Sequence, residues 1–205
     1  MRKSIPRREA LRRMGAVGAG YALPGPLLER FLEAVQAEGG YQARFFGEAE
    51  LETVRLLADM IIPRDERSGS ASDAGTVDYM DFVLSEAEAE TRERWRAGLA
   101  WLDAEVRERH GTPRFVDASP EQRGAVLDLV AWPERAEERH QEQVEWFNRA
   151  RDLVGSGFFS SRMGVEDLDY RGGGPNAEWN GVPAEVLEAL GLSYDDWDRR
   201  YGSLG

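Results

Sequence analysis

The side chains in this sequence with the clearest potential for chemistry are two histidines and a large number of carboxylates. Glu137-Glu138-Arg139-His140 contains one E-x-x-H, a spacing that sets a carboxylate and an imidazole on one face of a helix. A carboxylate-bridged di-iron site needs two such motifs. Around the other histidine, in Arg107-Glu108-Arg109-His110, an arginine stands where the glutamate would be, so a solvated polar helix face is the better reading. Asp65/Glu66, Asp167/Asp169 and Asp195/Asp196 have the form of a glycosidase-like acid/base pair, but with 38 acidic residues in 205 such adjacency is expected by chance. Ser160-Ser161 has no histidine nearby, and no G-x-S-x-G nucleophile elbow occurs. Gly172-Gly173-Gly174 fits neither a P-loop nor a G-x-G-x-x-G turn after a strand, which makes it a docking loop sooner than a phosphate cradle.

Composition closes further routes. The chain has no cysteine, which excludes disulfides, thiolate nucleophiles, Cys-ligated zinc, iron–sulfur clusters and covalently attached c-type haem. The formal charge of -12 opposes attraction to nucleic-acid phosphates and to anionic lipid, so a nucleic-acid partner is not expected. The charge is also uneven. Residues 1–22 carry six basic side chains and one acidic one, a net +5, which leaves -17 on the remainder. Such a split marks a targeting segment ahead of an acidic body.

Within that head, Pro6-Arg7-Arg8-Glu9-Ala10-Leu11-Arg12 resembles the twin-arginine export signal, with Arg7, Arg8 and Leu11 at the matching positions and Ala10 in place of the usual aromatic residue. The Gly/Ala-rich run Met14 to Ala22 behind it is weakly apolar and too short to cross a bilayer alone. The expectation is export of a folded chain to the periplasm or the outer face of the cytoplasmic membrane, with membrane contact only peripheral or through an uncleaved N-terminus.

The elements that must position everything else are helical. No sustained period-2 alternation occurs, while several segments repeat apolar residues at i, i+3, i+4 and i+7, which predicts an all-α chain: a 1–22 signal segment and one compact helical domain over 23–205. Helices are expected over 26–36, 48–62, from Thr76 as a cap, over 91–110, from Ser119-Pro120-Glu121-Gln122 as a capping box, and from Pro133 up to Gly155 and Gly157. Two more follow over 183–190 and 193–201, the latter opened by Ser193. Trp95, Leu99, Leu102 and Val106 form one stripe, and Trp101 falls about 120° away, free for a second contact surface. Trp95, Trp132, Trp146 and Trp197 are expected in helix packing. Between the long helix and the C-terminal pair, residues 158–183 show little helical patterning, and a stretch of that length points to partner binding.

Three stretches taken together are more specific: Phe45-Phe46-Gly47-Glu48-Ala49-Glu50 followed by Leu57-Ala58-Asp59-Met60-Ile61-Ile62-Pro63, then Ala74 through Asp81, then the series from Phe158-Phe159 through Tyr170, Gly174-Pro175-Asn176, Trp179 and Asn180-Gly181. In this order they resemble the gluconate 2-dehydrogenase subunit 3 family. The resemblance implies a non-catalytic small subunit that binds no cofactor itself and assists the folding, stability and twin-arginine co-export of a partner. That partner is a glucose–methanol–choline (GMC) type flavoprotein holding FAD and oxidising sugars, sugar acids or polyols, in some assemblies with a cytochrome c subunit bearing haem c. Trp101, Tyr170, Gly174, Pro175, Asn176, Trp179 and Asn180 are the partner-binding candidates. Two alternatives from the residues alone stay open: a stand-alone exported enzyme using a carboxylate pair, and a cell-envelope binding or anchoring protein.

Overall fold

Apolar residues recurring at helical spacing give helices in nearly every place the pattern occurs. The computed structural model describes residues 25–170 and 181–201, and among them there are nine α-helices and no strand: Gly25–Val35 (α1), Glu48–Ile61 (α2), Thr76–Ser85 (α3), Ala89–His110 (α4), Pro120–Ala131 (α5), Gln141–Phe159 (α6), Arg162–Asp167 (α7), Ala184–Ala189 (α8) and Tyr194–Tyr201 (α9). The chain divides into two compact units, residues 1–170 and 171–205. Arg7, Arg8 and Leu11 of the expected signal, and the candidates Gly174, Pro175, Asn176, Trp179 and Asn180, lie outside the described residues.

The first unit is built around α6, which packs against α2, α3, α4, α5 and α7. Its sequence explains the central place. Val144, Phe147, Ala150, Val154 and Phe158 recur at three- and four-residue spacing and are all buried, with Trp146 and Gly157 widening the stripe. The stripe of α4, Trp95, Leu99, Leu102 and Val106, is buried as its spacing predicts. Leu57, Met80, Phe82, Leu102, Phe115 and Phe158 are each at most 1% exposed. Burying such side chains is worth about 1.5–3 kcal/mol apiece before the cost of ordering the chain is set against it. Helix α1 buries no residue fully but is fastened by two adjacent side chains. Phe31 meets the rings of Tyr41, Tyr79 and Phe82 at 6.2, 5.8 and 5.2 Å, and Arg30 forks onto both carboxylate oxygens of Glu86 at 2.7 Å.

Helix ends follow local chemistry in some places and packing in others. Ser119 caps α5 as its motif predicts: the Gln122 N–H donates to Ser119 Oγ, and the Ser119 N–H donates back to Gln122 Oε1. Thr76 is not a cap. Gly75 takes that position with φ +74°, a left-handed conformation that suits glycine, and Thr76 is fully buried in the first turn. The helix expected from Pro133 begins at Gln141 instead, because the Trp132 carbonyl accepts from both Arg135 and Ala136 in a turn and Glu138–His140 forms a separate 3-10 turn. Gly155 and Gly157 do not end α6, which continues to Phe159. A Cβ at Gly157 would come within 2.8 Å of Tyr79 and 2.9 Å of Thr76, so glycine there serves the contact between α3 and α6. The stretch from 158, expected to be irregular, contains the six-residue α7, capped by Ser161 Oγ accepting from the Gly164 N–H at 3.1 Å. Trp95 and Trp146 are packed as expected, whereas Trp132 is 51% exposed and lies against Arg135; Trp197 falls outside the described side chains.

Candidate partner-docking surface

A fully buried carboxylate organises the start of the body. Asp81 sits on α3 between the apolar positions Val77, Met80 and Leu84 and is 1% exposed. Its Oδ1 accepts from the backbone N–H groups of Phe45 and Phe46 at 3.0 and 2.7 Å, and its Oδ2 from the Arg44 N–H and the Tyr41 hydroxyl, both at 2.7 Å. Four donors on one carboxylate satisfy it in the way burial of charge demands. The bond also seats Phe45 and Phe46 in the core, where Phe46 stands edge-on to Trp95 with centroids 6.1 Å apart. Burial first, then the bond to Asp81, raise the Tyr41 pKa above the ordinary tyrosine range. Burial likewise pushes Asp78 up, with Arg55 opposing and Asp81 adding to the rise.

The polar loop between α2 and α3 is held by its own acidic side chains. Asp65 accepts from the Arg67 and Ser68 N–H groups at 2.8 Å, and Asp73 from the Ser70 N–H at 2.8 Å and from Arg64 at 2.6 Å. Backbone hydrogen bonds hold the pKa of each below the ordinary aspartate value. A general acid needs the opposite shift. Arg67 then reaches across 100 residues to the Asp167 carbonyl and, at 3.4 Å, to its carboxylate, which ties this loop to the end of α7. Asp65/Glu66 and Asp167/Asp169, which the spacing offered as acid/base pairs, therefore contain residues committed to fastening loops.

Neither the E-x-x-H spacing nor the solvated helix face expected around His140 survives the geometry, because the segment turns as a 3-10 helix and buries the imidazole. Glu137 is extended, at φ -64° and ψ 149°, and precedes the 3-10 turn, while His140 is 4% exposed, so the two do not share an α-helical face. His140 lies edge-on to Trp101, centroids 6.0 Å apart, with Nδ1 unpartnered. Among the described residues, no group of three or more His, Asp or Glu is placed to hold a metal ion. Between α4 and α6 opens a cleft of about 400 Å³ floored by Trp95, Gly98 and Trp146, with Arg94, Glu142 and Arg149 at its rim. A Cβ on Gly98 would stand 2.1–2.3 Å from three atoms of the Trp146 indole, so the helices cross here in direct contact.

The sequence candidates are placed differently from one another. Trp101 is half-buried, packed against the core and His140. Tyr170 is 53% exposed and closes a stretch that also shows Phe159 and Leu168 to solvent, 43% and 57% exposed. The turn carrying Leu168 and Tyr170 is fixed: Leu168, Asp169 and Tyr170 donate their N–H groups to the carbonyls of Gly164, Glu166 and Val165. Three large apolar side chains held outward over twelve residues suit contact with another protein. Asp81 and Arg67 were not among the candidates. The one available sign of Asp81 was a charge set on an otherwise apolar helical stripe.

Taken together, the chain is an all-α protein whose first unit is built on one long central helix and whose buried carboxylate serves to hold a segment in place. A protein-family model, gluconate 2-dehydrogenase subunit 3, matches residues 48–179, more than half of the sequence, and the chain belongs to that family. No curated protein and no solved structure matches it. Among the described residues, no helix is long and apolar enough to cross a membrane.

Proposed function

We propose that this chain is the small accessory subunit of an exported FAD-dependent dehydrogenase acting on sugars, sugar acids or polyols, and that it assists the folding, stability and export of the catalytic flavoprotein. The family match over residues 48–179 carries the reading, since the family is named for the third subunit of gluconate 2-dehydrogenase. On this reading the flavin and the substrate site belong to a GMC-type large subunit, and any haem c belongs to a cytochrome subunit. The small subunit contributes surface. Tyr170, with Phe159 and Leu168, supplies apolar contact area, and Gly174, Pro175, Asn176, Trp179 and Asn180 are assigned to the same role from the sequence. Trp101 acts by holding α4 to the His140 turn. The twin-arginine-like head, Arg7, Arg8 and Leu11, directs the folded pair outward to the periplasm.

The test is a native pull-down of the full chain from its source organism. The expected result is a co-purifying larger polypeptide with the visible absorption of oxidised flavin, whose recovery falls when Tyr170→Ala is introduced. A colourless monomer that oxidises no sugar and recovers no flavoprotein would overturn the proposal.

A further inference from the structure

The hairpin of α8 and α9 is ordered by polar bonds while its apolar side chains stay uncovered. The Val182 N–H donates to Tyr194 Oη at 2.7 Å, the Leu192 N–H to the Leu187 carbonyl at 2.8 Å, and the Asp196 N–H to Ser193 Oγ at 3.2 Å, capping α9. Gly181, at φ +84°, lets the Tyr194 ring close on the start of the segment, where an added Cβ would lie 3.0 Å from the hydroxyl. Yet α8 buries no residue, and Val186, Leu190, Leu192 and Tyr194 are 41%, 65%, 58% and 47% exposed. Four large apolar side chains within nine residues is not the composition of a solvated segment.

Carboxylates surround them. Glu185, Glu188, Asp195 and Asp198 have no ion pair among the described contacts, Asp196 is taken by Arg199, and residues 181–201 carry a net -3. The hairpin also follows the end of the family match at residue 179. That charge selects the occupant. A second copy would set like carboxylates against each other on a body already at -17, and an anionic lipid surface would be repelled for the same reason. A protein groove with an apolar floor and an Arg/Lys rim is attracted on both counts.

We propose that the α8–α9 hairpin is a docking arm that lays Val186, Leu190, Leu192 and Tyr194 into a basic-rimmed apolar groove on the large partner subunit. The inference rests on the accessory-subunit reading and names the part of the chain that carries partner choice. It is tested with the purified full chain and the flavoprotein recovered in the pull-down, comparing wild type, Leu190→Asp/Leu192→Asp, and Glu185→Lys/Glu188→Lys/Asp195→Lys/Asp198→Lys. Both variants should keep the wild-type helical spectrum and melting temperature, because none of these side chains is buried. Each should weaken binding roughly tenfold or more. Raising salt from about 50 to about 500 mM should weaken the wild type more than the charge-reversed variant. Variants that bind within about twofold of a binding wild type would overturn the arm and leave the accessory reading standing. A wild type that binds no flavoprotein would overturn both, and a self-associated chain dissolved by Leu190→Asp/Leu192→Asp would assign the hairpin to a second copy instead.

Discussion

Replacing Asp81 by asparagine changes one atom of the side chain and should cost this protein a large part of its stability. The carboxylate holds four donors at 2.7–3.0 Å, two on each oxygen, from a position that is 1% exposed. Asparagine offers one carbonyl oxygen and one NH2. Its best orientation sets the carbonyl at the Oδ1 position, which keeps the Phe45 and Phe46 N–H groups, and the NH2 at the Oδ2 position. There the Tyr41 hydroxyl can turn to accept, but the Arg44 N–H faces another donor. One backbone N–H without an acceptor costs about 1–3 kcal/mol, and losing the charge on the remaining acceptor removes about 1 kcal/mol more. The smaller desolvation cost of the neutral side chain offsets part of this. Asp81→Asn should therefore lose about 2–4 kcal/mol, or about 6–12 °C in melting temperature near the middle of that range. Asp81→Ala, which strands three N–H groups, should lose more, and Tyr41→Phe, which removes one donor and leaves the carboxylate three, about 1 kcal/mol. Urea unfolding at neutral pH, followed by tryptophan fluorescence and by helical circular dichroism, measures all three. An asparagine variant within about 1 kcal/mol of wild type, or a Tyr41→Phe loss equal to it, would refute the clamp as the fastening of this segment.

Two further outcomes follow from packing and charge. Gly98→Ala sets a methyl 2.1–2.3 Å from the Trp146 indole and should destabilise by about 1–3 kcal/mol or more through overpacking; a Trp146→Leu background should recover part of that loss in a double-mutant cycle measured by urea unfolding. Asp78 has its pKa raised in the fold, chiefly by burial, so its contribution is fully present below the unfolded pKa and is lost as pH rises through the folded one. Relative to Asp78→Asn, the wild type should lose ground in melting temperature as pH rises from below the ordinary aspartate pKa through the raised folded one, and a wild type that gains ground on that rise would contradict the burial argument.

Much of the fold was legible because period and capping chemistry are local. Trp95, Leu99, Leu102 and Val106 announce a buried stripe by spacing alone, and Ser119-Pro120-Glu121-Gln122 fixes a helix start through bonds among those same residues. What spacing missed depends on partners distant in sequence. Gly157 looks like a terminator until Tyr79 and Thr76 are found where its Cβ would be. The 137–140 segment looks helical until His140 is found buried against Trp101, beyond a turn closed by the Trp132 carbonyl. Of the partner-contact candidates, Tyr170 is exposed while half-buried Trp101 is met from within its own unit, and Asp81 gave no sign of its role beyond a charge in an apolar stripe.

The two ends of the family-matched region are treated in opposite ways, and this bears on which surface is left for a partner. The match begins at residue 48, yet Asp81 inside it grips residues 41–46 outside it and brings Phe45 and Phe46 to 7% and 5% exposure. The structural body therefore starts earlier than the family pattern does, and its N-terminal extension is bound in by four hydrogen bonds and two core aromatics. Past residue 179 nothing comparable is found among the described residues. The α8–α9 hairpin is tied by Tyr194 to its own start and leaves Leu190 and Leu192 more than half exposed. Leaving them uncovered among unpaired carboxylates is the arrangement expected of residues whose burial is completed by another polypeptide.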